Sequence, residues 1–225
     1  MATGPKQLAL SLDHQARLSR DDFLEGPSNA AALAMIERWP DWPAHAIAIT
    51  GPEGSGKSHL AAIWAQASGA QIVRARSLKA EAVPDALSAG ALVLEDCDSG
   101  ECEDRTLFHL LNLVRETGAW LLMTGRAAPA HWPVRLPDLV SRLRSIPIAA
   151  LSMPDDALLR AVMVKLFADR QLAVDEALIA YLALRVERTF ASVRKAVDNL
   201  DKAALQRGRP VTRALAVELF REAGR

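Results

Sequence analysis

Cysteine is nearly absent: Cys97 and Cys102 are the only two in 225 residues. A secreted domain stapled by disulfides would carry more, so a reducing compartment is expected, and both residues read as plain thiols. Their spacing fits no usual zinc or redox signature. Net charge is also lacking, with 27 basic side chains balancing 27 acidic ones. That balance argues against a basic coat gripping nucleic acid non-specifically, though it leaves room for a local patch. No apolar run approaches the ~18 residues of a membrane span. The apolar stretch after Lys6 stops at Asp13, too short for the core of a signal peptide. A cytoplasmic protein without a membrane partner is the expectation. The histidines are scattered, with no His-x-x-x-His pair, and yield no metal reading. What the chain has in quantity is apolar residues, 50% of the total. That supports a real core and rules out wholesale disorder.

Residues 1–20 read as an extended tail, mixing Gly4, Pro5, Asp13 and His14 with one short apolar cluster. Glu25 to Asn29 is turn-rich, and Ser28 or Asn29 could cap a helix over Ala30–Arg38. The Trp39-Pro40-Asp41-Trp42-Pro43 run ends that helix. Short apolar runs then alternate with longer helical patterns. Strands are expected at Ala46–Thr50, Gln71–Ala75, Ala91–Leu94 and Trp120–Thr124, with a fifth at Ser145–Ile148. Helices are expected at Lys57–Ala67 and Asp104–Glu116. Continuous apolar strands alternating with helices imply an α/β fold, a parallel sheet covered on both faces. After about residue 150 the strand signal stops. Pro154–Arg170, Asp175–Val186, Phe190–Gln206 and Thr212–Glu222 carry helical periodicity, with Pro154 in a first turn and Thr212 as a cap. The expected organisation is a tail at 1–20, an α/β domain at 21–150 and a small all-helical lid at 151–225.

The sharpest signal is Gly51-Pro52-Glu53-Gly54-Ser55-Gly56-Lys57-Ser58, which fits G-x-x-x-x-G-K-[ST]. It arises by chance on the order of once in a hundred chains this long, and here it sits between a strand and a helix. Glycines let backbone N–H groups converge on phosphate oxygens, and the helix start adds its unpaired N–H groups and positive dipole end. Lys57 would meet the β- and γ-phosphates, and the Ser58 hydroxyl would ligate Mg2+. The bland alternative is an ordinary glycine-rich turn. A second acidic element is needed at the end of a neighbouring strand, and Leu94-Glu95-Asp96 supplies it. Glu95 could hold Mg2+ and Asp96 could orient an attacking water. Glu95 stands where such sites usually have aspartate, one methylene shorter. A solvated acidic strand end is the alternative.

The phosphate loop, the acidic strand end and the helical lid together resemble the AAA+ ATPases of the DnaA group, and within it the Hda branch of regulatory inactivators. Phe23-Leu24-Glu25-Gly26-Pro27-Ser28-Asn29 is similar to the segment that packs on adenine in this group, which assigns Phe23 and Leu24, with the loop and His59, to nucleotide binding. Phe108 to Pro129 resembles the helix and sensor-1 strand. Leu136 to Leu143 is similar to the arginine-finger segment, with Arg142 following a loop and reaching a nucleotide on a neighbouring subunit. A surface pair with Asp138 is the alternative for Arg142. Ser192-Val193-Arg194 resembles the sensor-2 helix, with Arg194 touching the phosphates bound by its own chain, or else merely an exposed helix cation. The family often has an acid two positions after Thr124, where this chain has Arg126. Together with Glu95, that departure implies weak intrinsic turnover.

The tail segment Gln7-Leu8-Ala9-Leu10-Ser11-Leu12 fits Q-L-x-L-x-[LF], similar to the peptide by which replication proteins dock on the DNA polymerase sliding clamp. Extended, it places Leu8, Leu10 and Leu12 on one side, and Gln7 can both donate and accept. A short element packed on the chain's own core is the alternative. The resemblance implies an adaptor holding ADP or ATP with Mg2+. It would dock on the clamp's beta subunit and supply Arg142 in trans to DnaA, promoting hydrolysis there. A homodimer is one assembly it admits. No helix-turn-helix follows the lid, and Arg207, Arg209 and Arg213 read as a solvated cluster, so sequence-specific DNA binding is not expected. The rivals are a self-sufficient AAA+ ATPase or helicase loader on single-stranded DNA, a P-loop kinase for a small metabolite, and a structural body with an empty site.

Overall fold

The computed structural model describes residues 18–223. Five parallel strands, β1 (Ala46–Thr50), β2 (Gln71–Arg74), β3 (Ala91–Glu95), β4 (Trp120–Gly125) and β5 (Ile148–Ala150), form one sheet in the order β2-β3-β4-β1-β5. Strands β1, β3 and β4 are near-continuous apolar runs because helices cover both faces, whereas the edge strand β2 reads Gln71-Ile72-Val73-Arg74 and is largely exposed. Alternate residues divide between two cores, as the period of two requires. Ala48, Leu92, Leu94, Leu121 and Met123 face one side. There they meet Leu107, Leu110, Leu111 and Val114 of α4 (Asp104–Thr117) and Leu139 and Leu143 of α5 (Pro137–Arg144). Ile47, Ile49, Ala91, Val93 and Leu122 face the other side, against α1 (Ala30–Glu37) and α2 (Lys57–Ser68). The one-turn helix α3 (Val83–Ala86) lies in the connection from β2 to β3. Where the strands begin, Trp39, Trp42, Trp64 and Trp120 form a ring cluster, with Trp42 stacked on Trp64 at 4.9 Å and His45 on Trp120 at 4.2 Å.

The chain divides into two compact units at Asp155/Asp156. The second contains α6 (Asp156–Asp169), α7 (Glu176–Ala183), α8 (Phe190–Arg207) and α9 (Arg213–Ala223). Its core is Met163, Phe167, Leu178, Leu182, Val193, Val197, Leu200 and Leu215. Asp175 caps α7 by accepting from Leu178 N at 2.8 Å, and Thr189 caps α8 by accepting from Ser192 N at 3.1 Å.

Five expectations need correction. Strand β5 lies at Ile148–Ala150, not Ser145–Ile148, because its register with Ala48–Thr50 fixes it there; Ser145 instead follows α5 as its C-cap. Arg142 does not follow a loop but stands inside α5, whose start is set by Pro137 at its first position. Pro154 precedes α6 rather than opening it, since the helix begins at Asp156. Asn29 holds the N-cap position of α1 without capping it: its Oδ1 accepts from Gly26 N at 2.8 Å and its Nδ2 donates to the Leu24 carbonyl at 2.9 Å. This buried amide is spent on folding the preceding turn. Finally, Arg207 and Arg209 are not simply solvated, because both pair with Glu218 of α9, and Arg213 lies 5.7 Å from the Tyr181 ring.

Candidate functional site

Glycines set the course of the loop from β1 to α2. A Cβ on Gly51 would fall 2.6 Å from the Leu151 carbonyl and 2.9 Å from Ser55 Oγ, so only glycine fits where the loop leaves the sheet. Leu151 N is bonded to the Thr50 carbonyl at 2.7 Å, which holds this wall in place. Gly56, at φ 101°, turns the chain into α2 in a conformation other residues avoid. The first intrahelical bond is Leu60 N to the Gly56 carbonyl, so the N–H groups of Lys57, Ser58 and His59 precede it and face outward from the helix start.

Two polar groups in this loop fit a phosphate chain. Ser55 Oγ is buried without any hydrogen-bond partner, an arrangement that costs stability unless something answers it. Lys57 Nζ donates to the carbonyls of Gly51 and Pro52, 2.8 Å each, and so lies folded back over the loop. Burial pushes its pKa down and the nearby Arg126 adds to that, while Asp98, Asp96 and Glu53 oppose it. An anion placed in the loop would favour the charged form and so offset this desolvation.

The acidic end of β3 lies beside the loop. Glu95 closes the strand, half-buried and in register with Arg74 of β2. Asp96 follows in the left-handed region at φ 59°, and its N–H donates to Thr124 Oγ1 at 3.1 Å. That bond ties the ends of β3 and β4 together. The N–H groups of Arg126 and Ala127 donate to Asp98 Oδ2 at 2.7 and 3.2 Å, and the Arg126 guanidinium donates to Glu53 Oε2 of the phosphate loop at 2.8 Å. Arg74, Arg76, Asp96, Asp98, Glu101 and Arg126 line a polar cleft of about 390 Å3. A separate cavity of about 440 Å3, lined by Ile36, Trp39, Ile63 and Trp64, is more apolar and shares no residue with the loop.

The remaining candidates fall elsewhere. Phe23 is buried in the core on the α2 side, edge-on to the His59 ring at 5.1 Å, and the His59 Nε2–H donates to the Ser19 carbonyl at 2.9 Å. These contacts anchor residues 19–24, with half-buried Leu24, on the first turn of α2. Arg142 lies on α5 with its guanidinium over the Phe108 ring, not on Asp138. Arg194 is on α8 of the helical unit. Gln7, Leu8, Leu10 and Leu12 lie outside the described residues. Cys97 and Cys102 are free thiols, both raised in pKa chiefly by burial. Sequence reasoning missed Asp98 and Asp104. Asp104 Oδ2 accepts from Arg135 N and Leu136 N at 2.7 and 3.0 Å, fixing the entry to α5. No motif marks either residue, since what they hold is backbone about 30 residues downstream.

No family model matches the chain. It is 25% identical over 251 aligned residues to the chromosomal replication initiator protein DnaA of Thermomicrobium roseum, covering 96% of this chain and 53% of that protein. The chain thus spans about half the length of this relative. It is 29% identical over 177 residues to an uncharacterized protein of Haemophilus influenzae, covering 73% of this chain and 76% of the other. Among solved structures, domain III of Thermotoga maritima DnaA superposes with a TM-score of 0.75 over 92% of this chain and 97% of the domain, at 18% identity. DnaA bound to AMPPCP and single-stranded DNA gives 0.62 over 83% of this chain and 65% of that one, at 15% identity. The Thermotoga maritima RuvB motor gives 0.64 over 84% of this chain and 64% of that one, at 16% identity.

Proposed function

Because the chain is a DnaA-related AAA+ protein, we propose that it is a nucleotide-holding regulator of replication initiation that acts on DnaA itself. The observation that carries this reading is the loop from Gly51 to Ser58, with its unanswered Ser55 hydroxyl, set beside the acidic end of β3. ADP or ATP is its ligand. Relatives of the same fold, solved with AMPPCP, support that choice. Backbone N–H groups of the loop and of Lys57 and Ser58 take the phosphate oxygens, and Lys57 swings off the Gly51 and Pro52 carbonyls to reach them. Ser58 and Glu95 hold Mg2+, which neutralises phosphate charge when bound. Asp96 orients water. Phe23, Leu24 and His59 shape the entry to the loop, and Arg194 reports nucleotide state to the helical unit.

The chemistry that matters occurs in the partner. Arg142, carried on α5, enters the DnaA site and stabilises charge as the γ-phosphoryl group leaves, an effect worth ~10^3-fold or more. Gln7, Leu8, Leu10 and Leu12 dock the protein on the DNA polymerase sliding clamp, its leucines burying ~1.5–3 kcal/mol each before ordering costs. Calorimetry with ADP and Mg2+ tests the cradle, and absence of heat ends the reading. Replacing Arg142 by Ala should abolish stimulation of DnaA's ATPase and spare clamp binding. Retained stimulation removes the finger. Replacing Gln7, Leu10 and Leu12 by Ala should release the protein from a clamp column.

A second reading, a self-sufficient ATPase working on single-stranded DNA, draws support from the DNA-bound DnaA of the same fold. Steady-state ATPase of the isolated protein separates them, since Glu95 and Arg126 predict little turnover.

A further inference from the structure

The phosphate loop carries a carboxylate of its own, and that carboxylate is occupied. Glu53 Oε2 accepts from the Arg126 guanidinium at 2.8 Å, joining the loop after β1 to the end of β4. The backbone of Arg126 is pinned by Asp98, which accepts from its N–H and from that of Ala127. Its side chain is not pinned: it is 68% exposed, and that of Glu53 is 78% exposed. An ion pair so exposed adds little to stability and exchanges readily. A fixed backbone bearing an exposed cation suits a group that changes partners rather than one that braces the fold.

Electrostatics gives the exchange a direction. A carboxylate on a phosphate loop repels each phosphate that enters, and the repulsion grows with phosphate charge. Arg126 cancels it. Both side chains lie within electrostatic reach of Lys57, which Arg126 disfavours as a cation and Glu53 favours. Arg126 presents a planar fork of donors, for which a phosphate with three free oxygens is a better acceptor than one exposed carboxylate. We propose that Glu53 and Arg126 form a charge latch that distinguishes nucleotides by phosphate number. The pair persists over a diphosphate, and a third phosphate draws Arg126 off Glu53. The proposal rests on the nucleotide reading of the loop and adds to it what selects the ligand.

The test is calorimetric titration of the full chain with ADP and with AMPPCP, each with Mg2+, for the unmodified protein, Arg126→Ala and Glu53→Gln. Arg126→Ala should weaken AMPPCP by about 10-fold and ADP by less than about 2-fold, the lower range for a charge-assisted hydrogen bond. Glu53→Gln, which removes the repulsion and leaves Arg126 only a neutral, weaker acceptor, should tighten AMPPCP more than ADP. Equal losses for both ligands in Arg126→Ala, or no loss, overturn the latch and leave the cradle standing. No heat with either ligand in the unmodified chain removes cradle and latch together.

Discussion

The guanidinium carbon of Arg142 lies 4.6 Å from the centroid of the Phe108 ring. This cation–π contact joins α5 to α4 through the side chain proposed to act in trans. A planar cation stacked on a ring is attracted by the ring's negative face and loses rotamer freedom before any partner arrives. If Arg142 is the finger, Phe108 is a positioning residue for it. Phe108→Leu keeps the apolar volume and removes the ring face. Stimulation of DnaA's ATPase should fall up to about five-fold, following the ~0.5–1 kcal/mol of an exposed cation–π contact. Nucleotide affinity should not change. Single-turnover ATPase of DnaA across a titration of the variant reads the loss, and calorimetry provides the control. Arg142→Lys should fail to restore activity, because an ammonium lacks the fork.

Lys57 gives a pH signature. Burial holds its pKa below the ordinary lysine value, so the free protein loses this proton earlier on the alkaline side than an exposed lysine would. Bound phosphate favours the charged form and raises the pKa again. Nucleotide binding should therefore take up a proton between the lowered and the ordinary value, with uptake fading to none well below it. Affinity should fall as pH rises through that interval. Calorimetry in two buffers of different ionisation enthalpy measures the uptake, and Lys57→Met should abolish it.

In the helical unit, Arg170 is 8% exposed and pairs with Asp198 and Asp201 of α8, which are 42% and 41% exposed. The asymmetry predicts unequal costs. Arg170→Met leaves two carboxylates that water can reach and keeps the buried stem, costing about 1 kcal/mol. Replacing both aspartates by Ala leaves a largely buried guanidinium without a carboxylate, though its Nη1 still donates to the Leu166 carbonyl at 2.8 Å, costing about 2 kcal/mol. Urea unfolding of the full chain, followed in the helical unit by hydrogen exchange, compares the two. A reversed order would show that the carboxylates, not the guanidinium, bear the desolvation.

The sheet and the phosphate loop were legible because both signals are local. Three strands, β1, β3 and β4, are apolar runs bounded by turn residues, and the loop motif is contiguous. Helix α5 was not legible: only Leu139 and Leu143 of its eight residues are buried, too few for a period to stand out. Strand β5 was misplaced because it is three residues long with exposed Ile148, so pairing with β1 rather than its own composition defines it. Lys57, Ser58, Glu95 and Asp96 are candidates named from motif spacing. The Arg126 departure was visible in the sequence, but its partner Glu53 was not, since nothing local joins two charges carried at the ends of different strands. Asp98 and Asp104 escaped for the same reason.

All five tryptophans, Trp39, Trp42, Trp64, Trp120 and Trp132, belong to the α/β unit, while the helical unit has Tyr181 and phenylalanines. Indole fluorescence therefore reports the α/β unit and not the helical unit, so its melting curve set against far-ultraviolet circular dichroism divides the two units without any label. Trp132 adds a local reporter: its indole N–H donates to the Ala127 carbonyl at 2.9 Å, next to the amide held by Asp98. Four rings light one pole of the sheet and a single ring lights the other, so a change of emission on adding a ligand, in a protein reduced to Trp132, would arise where the strands end.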